Sequence, residues 1–165
     1  MQQYVAYNVW ANSQMVQYML ALGSQRLHTN TPASFPPRYK TLVHMYKTEA
    51  AWFKRLELND QMQVPGNTPD TTVEGPGIKL RQQSERYQTW VTKTRFKKLL
   101  HVIAYRNTKK EEFTQPVYQI LMHLFNYQTY HQGQLVSMFY ILELANIPNT
   151  DFINFTRRVC RLPKN

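Results

Sequence analysis

The chain has a single cysteine, Cys160, and only five glycines in 165 residues. One thiol excludes a disulfide framework within a monomer, so a reducing, cytoplasmic setting is expected. Arg157, Arg158 and Arg161 would lower the pKa of Cys160, but an ordinary thiol near the tail is the expected reading. Scarce glycine, with nine prolines gathered between apolar segments, argues against many short strands and tight turns and favours long helices. No apolar run approaches the length of a membrane span, so no membrane partner is expected. The opening MQQYVAYNVWANSQMV lacks the charged-then-apolar layout of a signal peptide. There is no internal repeat and no compositional break, so a single domain over residues 1–165 is expected.

Acidic residues are scarce too. Ten Asp and Glu face twenty Lys and Arg, a net charge of +10 that raises the question of nucleic acid. Lys93, Arg95, Lys97 and Lys98 lie close together, Arg106, Lys109 and Lys110 follow, and Arg157, Arg158, Arg161 and Lys164 end the chain. No helix-turn-helix, RNA-binding aromatic motif or zinc-finger spacing accompanies them. A nucleic-acid partner therefore rests on charge alone and is the least supported reading.

What is present is a run of helical patterns. Gln3 to Leu22 carries Val5, Val9, Val16 and Met19 at helical spacing, with Gly23 as a stop. The linker SQRLHTNTPASFPP follows. Ser34 then caps a second helix that runs to about Leu58, with Pro36 or Pro37 in its first turn. Leu42, Met45, Glu49, Trp52 and Leu56 make its stripe. Glu49 is out of place there, and reads as a boundary carboxylate or as a partner for a buried histidine or arginine. Residues 59–78 form a long irregular stretch with three prolines and three glycines. A helix of about 22 residues is about 33 Å long, and about 19 loop residues can run back along it. The loop therefore allows the second and third helices to run parallel with a crossover between them. The third helix spans about Lys79 to Leu100, with Tyr87, Trp90, Val91 and Thr94 on one face. HVIAY and EEFTQ then flank the turn-like RNTKK as a small hairpin. Thr114 caps a fourth helix over about Gln115 to Ala145, with Pro116 in its first turn and Asn146 and Pro148 as stops. NTDFINFTRRV reads as a short C-terminal helix capped by Asn149 or Thr150. The expected class is all-α: a four-helix bundle with a long crossover loop, a small hairpin and a short C-terminal helix.

Steps of three and four along the fourth helix pick out Val117, Ile120, Leu124, Tyr127, His131, Gln134, Met138, Ile141 and Ala145 as a bundle-facing seam. Its three polar members are consecutive, so Tyr127 and His131 are expected to point into the bundle near its middle. A buried imidazole or phenol without a partner costs about 1–3 kcal/mol, so the plain reading is a hydrogen-bonded polar layer. Tyr127 and His131, at i and i+4, can share one centre. His123 lies about 80° around the helix and about 12 Å along it from His131. It cannot chelate the same ion and reads as a flanking residue.

At YNVWAN, TLVHMYKTEAAWFKRL, PVYQILMHLFNYQTYHQGQLVSMF and IPNTDFINF the chain resembles the DinB-like, or YfiT-like, four-helix proteins of bacteria, over nearly its whole length. The resemblance implies an up-down-down-up bundle, a homodimer, and a divalent metal such as zinc or nickel held by three histidines. One of these lies on the second helix, and two form an H-x-x-x-H pair on the fourth. The matching positions are His44, Tyr127 and His131, so tyrosine stands where the middle histidine is expected, and the usual H-R-G-Q reads His131-Gln132-Gly133-Gln134. Three imidazoles leave positions open for water or substrate. Two bind less tightly, and a phenol ligates only after losing a proton that tyrosine ordinarily keeps to about pH 10. Glu49 can be considered as a substitute ligand, although it lies five residues from His44 and so on a different helix face. On an ideal wheel His44 lies about 80° from the Trp52 side of the stripe, which suits a site at the open edge of a cleft.

Three readings follow. The first, implied by the resemblance, is a metal-dependent enzyme of hydrolase or thiol S-transferase type acting on a small molecule. In it His44 and His131 are metal ligands, Tyr127 is a third metal ligand or a catalytic donor to bound substrate, and Gln134 supports the catalytic site. The second is a metal-free bundle serving as a small-molecule binding or stress-related module. The third is a module that holds nucleic acid on its basic surface.

Overall fold

The computed structural model describes residues 1–22, 38–57, 74–107 and 109–159. Their elements are α1 (Gln2–Ala21), α2 (Arg38–Leu56), α3 (Glu74–Lys93), a single turn α4 (Phe96–Leu99), β1 (Val102–Arg106), β2 (Glu112–Pro116), α5 (Val117–Ile141) and α6 (Phe152–Val159). The proposed caps Ser34, Pro36 and Pro37, the stop at Gly23, residues 58–73 of the crossover, and Cys160 lie outside the described residues.

Side-chain pairings fix the path of the four long helices. On α1 and α3, Val16 meets Gly77 and Asn12 meets Ser84, so these helices are antiparallel. From α2 to α3, Leu42 approaches Gly77, Glu49 reaches Ser84 and Phe53 meets Tyr87, so these run parallel. Between α2 and α5, His44 faces His131 and Trp52 faces His123, which is antiparallel. Tyr4 contacts Phe125 and Tyr18 contacts Phe139, so α1 and α5 are parallel. The path is up-down-down-up. Around the ring the order is α1, α3, α2, α5, which places the consecutive helices α1 and α2 on a diagonal.

The core has two apolar halves with a polar plate between them. Val5, Phe53, Tyr87, Ile120, Leu121 and Phe125 fill the half beside the hairpin. Met15, Val16, Leu42, Met45, Leu135 and Phe139 fill the other. Between them lie the buried Asn8, Asn12, Glu49, Ser84 and Gln132. On α1 the buried stripe is Val5, Asn8, Asn12, Met15 and Met19; Val9 is only half-buried beside it. On α2, Phe53 rather than Trp52 completes the stripe, and Trp52 stands at the rim.

Several expected boundaries shift, for local reasons. The third helix begins at Glu74, inside the stretch read as loop. Gly77 belongs to its first turns, because a Cβ there would lie 2.8 Å from Val16 Cγ1. Gly77→Ala is therefore expected to cost about 1–3 kcal/mol by overpacking, despite alanine's better helix propensity. Urea unfolding of the variant checks this. The helix also stops early, at Lys93 rather than Leu100. Thr94 Oγ1 donates to the Trp90 carbonyl at 2.6 Å, and Arg95 turns extended before the α4 turn.

The hairpin is antiparallel, pairing Val102 with Pro116 and Arg106 with Glu112. Asn107 Oδ1 closes its turn by accepting from the Lys109 and Glu111 amides, and Lys110 adopts φ 64°. Strand pairing takes Thr114 and Gln115, so Thr114 caps nothing, and Pro116 occupies the N-cap position of α5 instead of its first turn. α5 ends at Ile141, four residues before Ala145, and Glu143 and Asn146 turn left-handed. α6 starts at Phe152. Asn149 Oδ1 accepts from the Asp151 amide ahead of the helix, while the Thr150 carbonyl accepts from the Tyr7 hydroxyl. Phe155 packs α6 onto Tyr7 and Ala11 of α1.

Candidate functional site

The polar stretch of α5 divides between two faces. Gln128 and Gln132 point into the bundle, and the expected seam is rotated by about one residue relative to them. His131 is 7% exposed at the boundary, Tyr127 and Gln134 are half-buried, and Ile141 lies on the surface. Tyr127 and His131 therefore do not point into the middle of the bundle. They form a rim site between α5 and α2, the open-edge location that the wheel position of His44 suits.

The three residues matched by resemblance do come together there. The His44 and His131 ring centroids are 4.8 Å apart, and Tyr127 and His131 are 4.5 Å apart. His44 Nε2 lies 2.9 Å from the Tyr127 hydroxyl oxygen. His131 Nδ1 is 2.7 Å from Gln134 Oε1, and Gln134 Nε2 in turn donates to the Tyr130 hydroxyl at 2.9 Å. With the amide in that orientation, Nδ1 carries the hydrogen of His131 and Nε2 carries the lone pair. That buried Nε2 has no hydrogen-bond partner among the described residues. Desolvation holds both imidazoles below the ordinary histidine value. At His44 the neighbouring His131 adds to this, and at His131 the Gln134 bond partly opposes it. Both rings are thus favoured in the neutral form that ligates metal.

Gln134 supports this site by fixing a tautomer. Gln134→Leu is expected to release it. Imidazole 15N spectra above pH 7.5 should then change from a single Nδ1-protonated His131 to a mixture of tautomers. His123 flanks the site as expected, stacked on Tyr127 at 5.8 Å and edge-on to Trp52 at 5.6 Å. Beyond Trp52, Arg55 lies over the Trp52 ring and donates to the Arg106 carbonyl, which ties the rim to the hairpin.

Glu49 is no part of the rim site, and its hydrogen-bond partners among the described residues are Asn8, Asn12 and Ser84, not a histidine or an arginine. Its carboxylate is wholly buried in the polar plate. Oε1 accepts from Asn8 Nδ2 at 2.8 Å and Asn12 Nδ2 at 3.2 Å, and Oε2 accepts from Ser84 Oγ at 2.8 Å. Gln132 Nε2 donates to Asn12 Oδ1 at 2.7 Å, so side chains of all four long helices join one network. The Tyr87 hydroxyl bonds the Glu49 carbonyl from α3. Burial pushes the Glu49 carboxyl up to about 7, and the Asn8, Ser84 and Asn12 hydrogen bonds hold it back from rising further. The reading from sequence missed this network. Its signal was the pair Asn8 and Asn12, at i and i+4 on the Val5–Met19 stripe, repeated by Gln128 and Gln132 on α5.

The donor set fits a transition metal in part. Two neutral imidazoles converge, one with an orphaned Nε2 and a hydrogen-bonded Nδ1, the outer support common to metal-ligating histidines. Among the described residues no third His, Cys, Asp or Glu joins them, so Tyr127 alone completes a set of three.

An up-down-down-up bundle carrying a His-Tyr-His rim on its second and last long helices defines a class of four-helix proteins. A sequence model of the DinB family matches residues 1–144, and the chain belongs to that family. It is similar to Protein DinB of Bacillus subtilis (strain 168), with 27% identity over 154 residues, 88% of this chain and 87% of that protein. Among the described residues no helix is long and apolar enough to cross a membrane.

Proposed function

We propose that His44, Tyr127 and His131 hold one divalent ion, zinc or nickel, and that the chain is a metal-dependent enzyme of hydrolytic or thiol-transferring type. The observation that carries this reading is the unpaired, tautomer-fixed Nε2 of His131 beside His44 and Tyr127. A divalent ion held there supplies Lewis acidity toward a small substrate. The chain's own groups do the rest. Gln134 keeps the His131 lone pair outward, and the half-buried Tyr127 serves either as the third ligand, once its phenol proton is lost, or, still protonated, as a hydrogen-bond donor to a substrate oxygen or sulfur at the rim.

Elemental analysis and zinc or nickel titration of protein purified without a histidine tag test the reading. About one ion per chain is expected in the native protein, with loss of binding in His131→Ala. A native protein that takes up neither ion, yet gives an unchanged fold and an Nδ1-protonated His131, overturns it. One observation favours a second reading, a metal-free small-molecule site: the Tyr127 hydroxyl already occupies His44 Nε2. In that case Tyr127→Phe alters ligand binding with no metal present.

A further inference from the structure

On a chain with twice as many basic as acidic residues, one cleft has no lysine or arginine among the described residues of its wall. It lies between α1, α5 and residues 147–152, on the opposite side of α5 from the His44 rim, and has a volume of about 460 Å³. Its outer wall, residues 147–152, lies beyond the segment matched by the DinB family.

The lining is aromatic and rich in acceptors. Tyr4 and Tyr7 stack at 6.0 Å, and Phe152 packs edge-on to both. The Tyr7 hydroxyl donates to the Thr150 carbonyl at 2.8 Å, and the Tyr4 hydroxyl donates to Asn126 Oδ1 at 2.6 Å. The hydrogens of both phenols are therefore committed, and their oxygens are left as acceptors. Asp151 is the one charged residue among the described residues of the wall.

Gln132 supplies the deepest group. It is 2% exposed and lines the cleft. Its Nε2 must point to the core, because Asn12 Nδ2 is already given to Glu49 and Ser84 and only Asn12 Oδ1 remains to face Gln132. The amide oxygen is thereby turned away from that bond, and the buried Oε1 has no hydrogen-bond partner among the described residues. A buried acceptor, a carboxylate and electron-rich rings all ask for the same complement, a positively charged N–H donor on a small apolar body.

We propose that this cleft binds a small primary ammonium cation. The ammonium hydrogens reach Gln132 Oε1 and the Asp151 carboxylate, and the alkyl body lies against Tyr4, Tyr7 and Phe152.

The test is a 15N–1H correlation titration of the full chain with n-butylammonium, with butan-1-ol as the neutral isostere and butyrate as the anionic control. Saturable shifts centred on the amides of Gly133 and Asp151 are expected with butylammonium only. Asp151→Asn should weaken binding about tenfold, the loss of one charge-assisted contact. A Cβ at Gly133 meets nothing within 4 Å, so Gly133→Leu should fill the cleft without disturbing the fold and abolish the shifts. Equal binding of the alcohol or butyrate, binding unchanged in both variants, or no saturable shift in the native chain each overturns the proposal.

Discussion

Glu49→Ala is expected to destabilise the bundle by about 3–5 kcal/mol, and Glu49→Gln by far less near neutral pH. Alanine leaves the Asn8 amide and one Ser84 contact without an acceptor inside a dry plate, at about 1–3 kcal/mol per orphaned group, and opens a cavity besides. Glutamine keeps the shape and an acceptor at Oε1, and its amide nitrogen can donate to Ser84 Oγ. The two variants also separate by pH. The Glu49 carboxyl titrates at about 7 in the fold against an ordinary value of 4.5, so the folded state holds the proton more tightly than the unfolded one. Its contribution to stability is complete below pH 4.5 and is lost as pH rises through about 7, at most about 3 kcal/mol in all. The depressed imidazoles of His44 and His131 act in the opposite sense, adding stability above pH 6.5 that is lost in acid. His44 is exposed, so solvent screening keeps its share small. Thermal midpoints of native protein and Glu49→Gln, measured from pH 4.5 to 8, should diverge by the Glu49 term alone. Parallel curves would mean that the buried carboxylate keeps its charge throughout.

Tyr127→His should raise zinc or nickel affinity at least about tenfold, the value of one added nitrogen ligand worth about 1.4 kcal/mol or more. Residues 127 and 131 are one helical turn apart and their rings already lie side by side, with His44 across from them. Competition with a chelator of known affinity measures the gain. Tyr127→Phe decides the role of the natural residue. If the phenol is a ligand, its removal weakens metal binding. If it only caps His44 Nε2, its removal frees that nitrogen and binding holds or strengthens. No gain in Tyr127→His would show that His44 and His131 do not converge on one ion, and the metal-dependent reading would fall with it.

Much of the bundle was legible along the chain. The order of long helices, the hairpin around Asn107 and the C-terminal helix all follow from local patterns. Parallel running of α2 and α3 was legible from loop length alone. Boundaries failed where two local rules competed. Glu74-Gly75-Pro76-Gly77 reads as a turn by composition, but Gly77 is there to let α3 approach Val16. Thr114 and Pro116 read as cap and first turn, but strand pairing reached them first. The rim of His44, Tyr127 and His131 was legible only through resemblance, since the seam count alone rotated α5 by a residue and sent Tyr127 too deep. Asn8, Asn12 and Gln132 were passed over because a polar residue on an apolar stripe has no meaning until its partner is known.

The sequence by itself determined the order of the long helical segments and, to within about a residue of rotation, the apolar face of each. Such features depend on neighbours within a turn or two, where 3.6-residue periodicity carries the information. Tertiary structure alone decided that Glu49 meets Ser84 from 35 residues away and that Gln132 meets Asn12 from 120. It also decided that Gln132 turns its amide nitrogen to the plate and its oxygen away from that bond. These contacts depend on the ring order α1, α3, α2, α5 and on the diagonal placing of α1 and α2. A pattern on one helix names its buried face but not the helix that will cover it, and the chemistry of a buried carboxylate depends on what covers it.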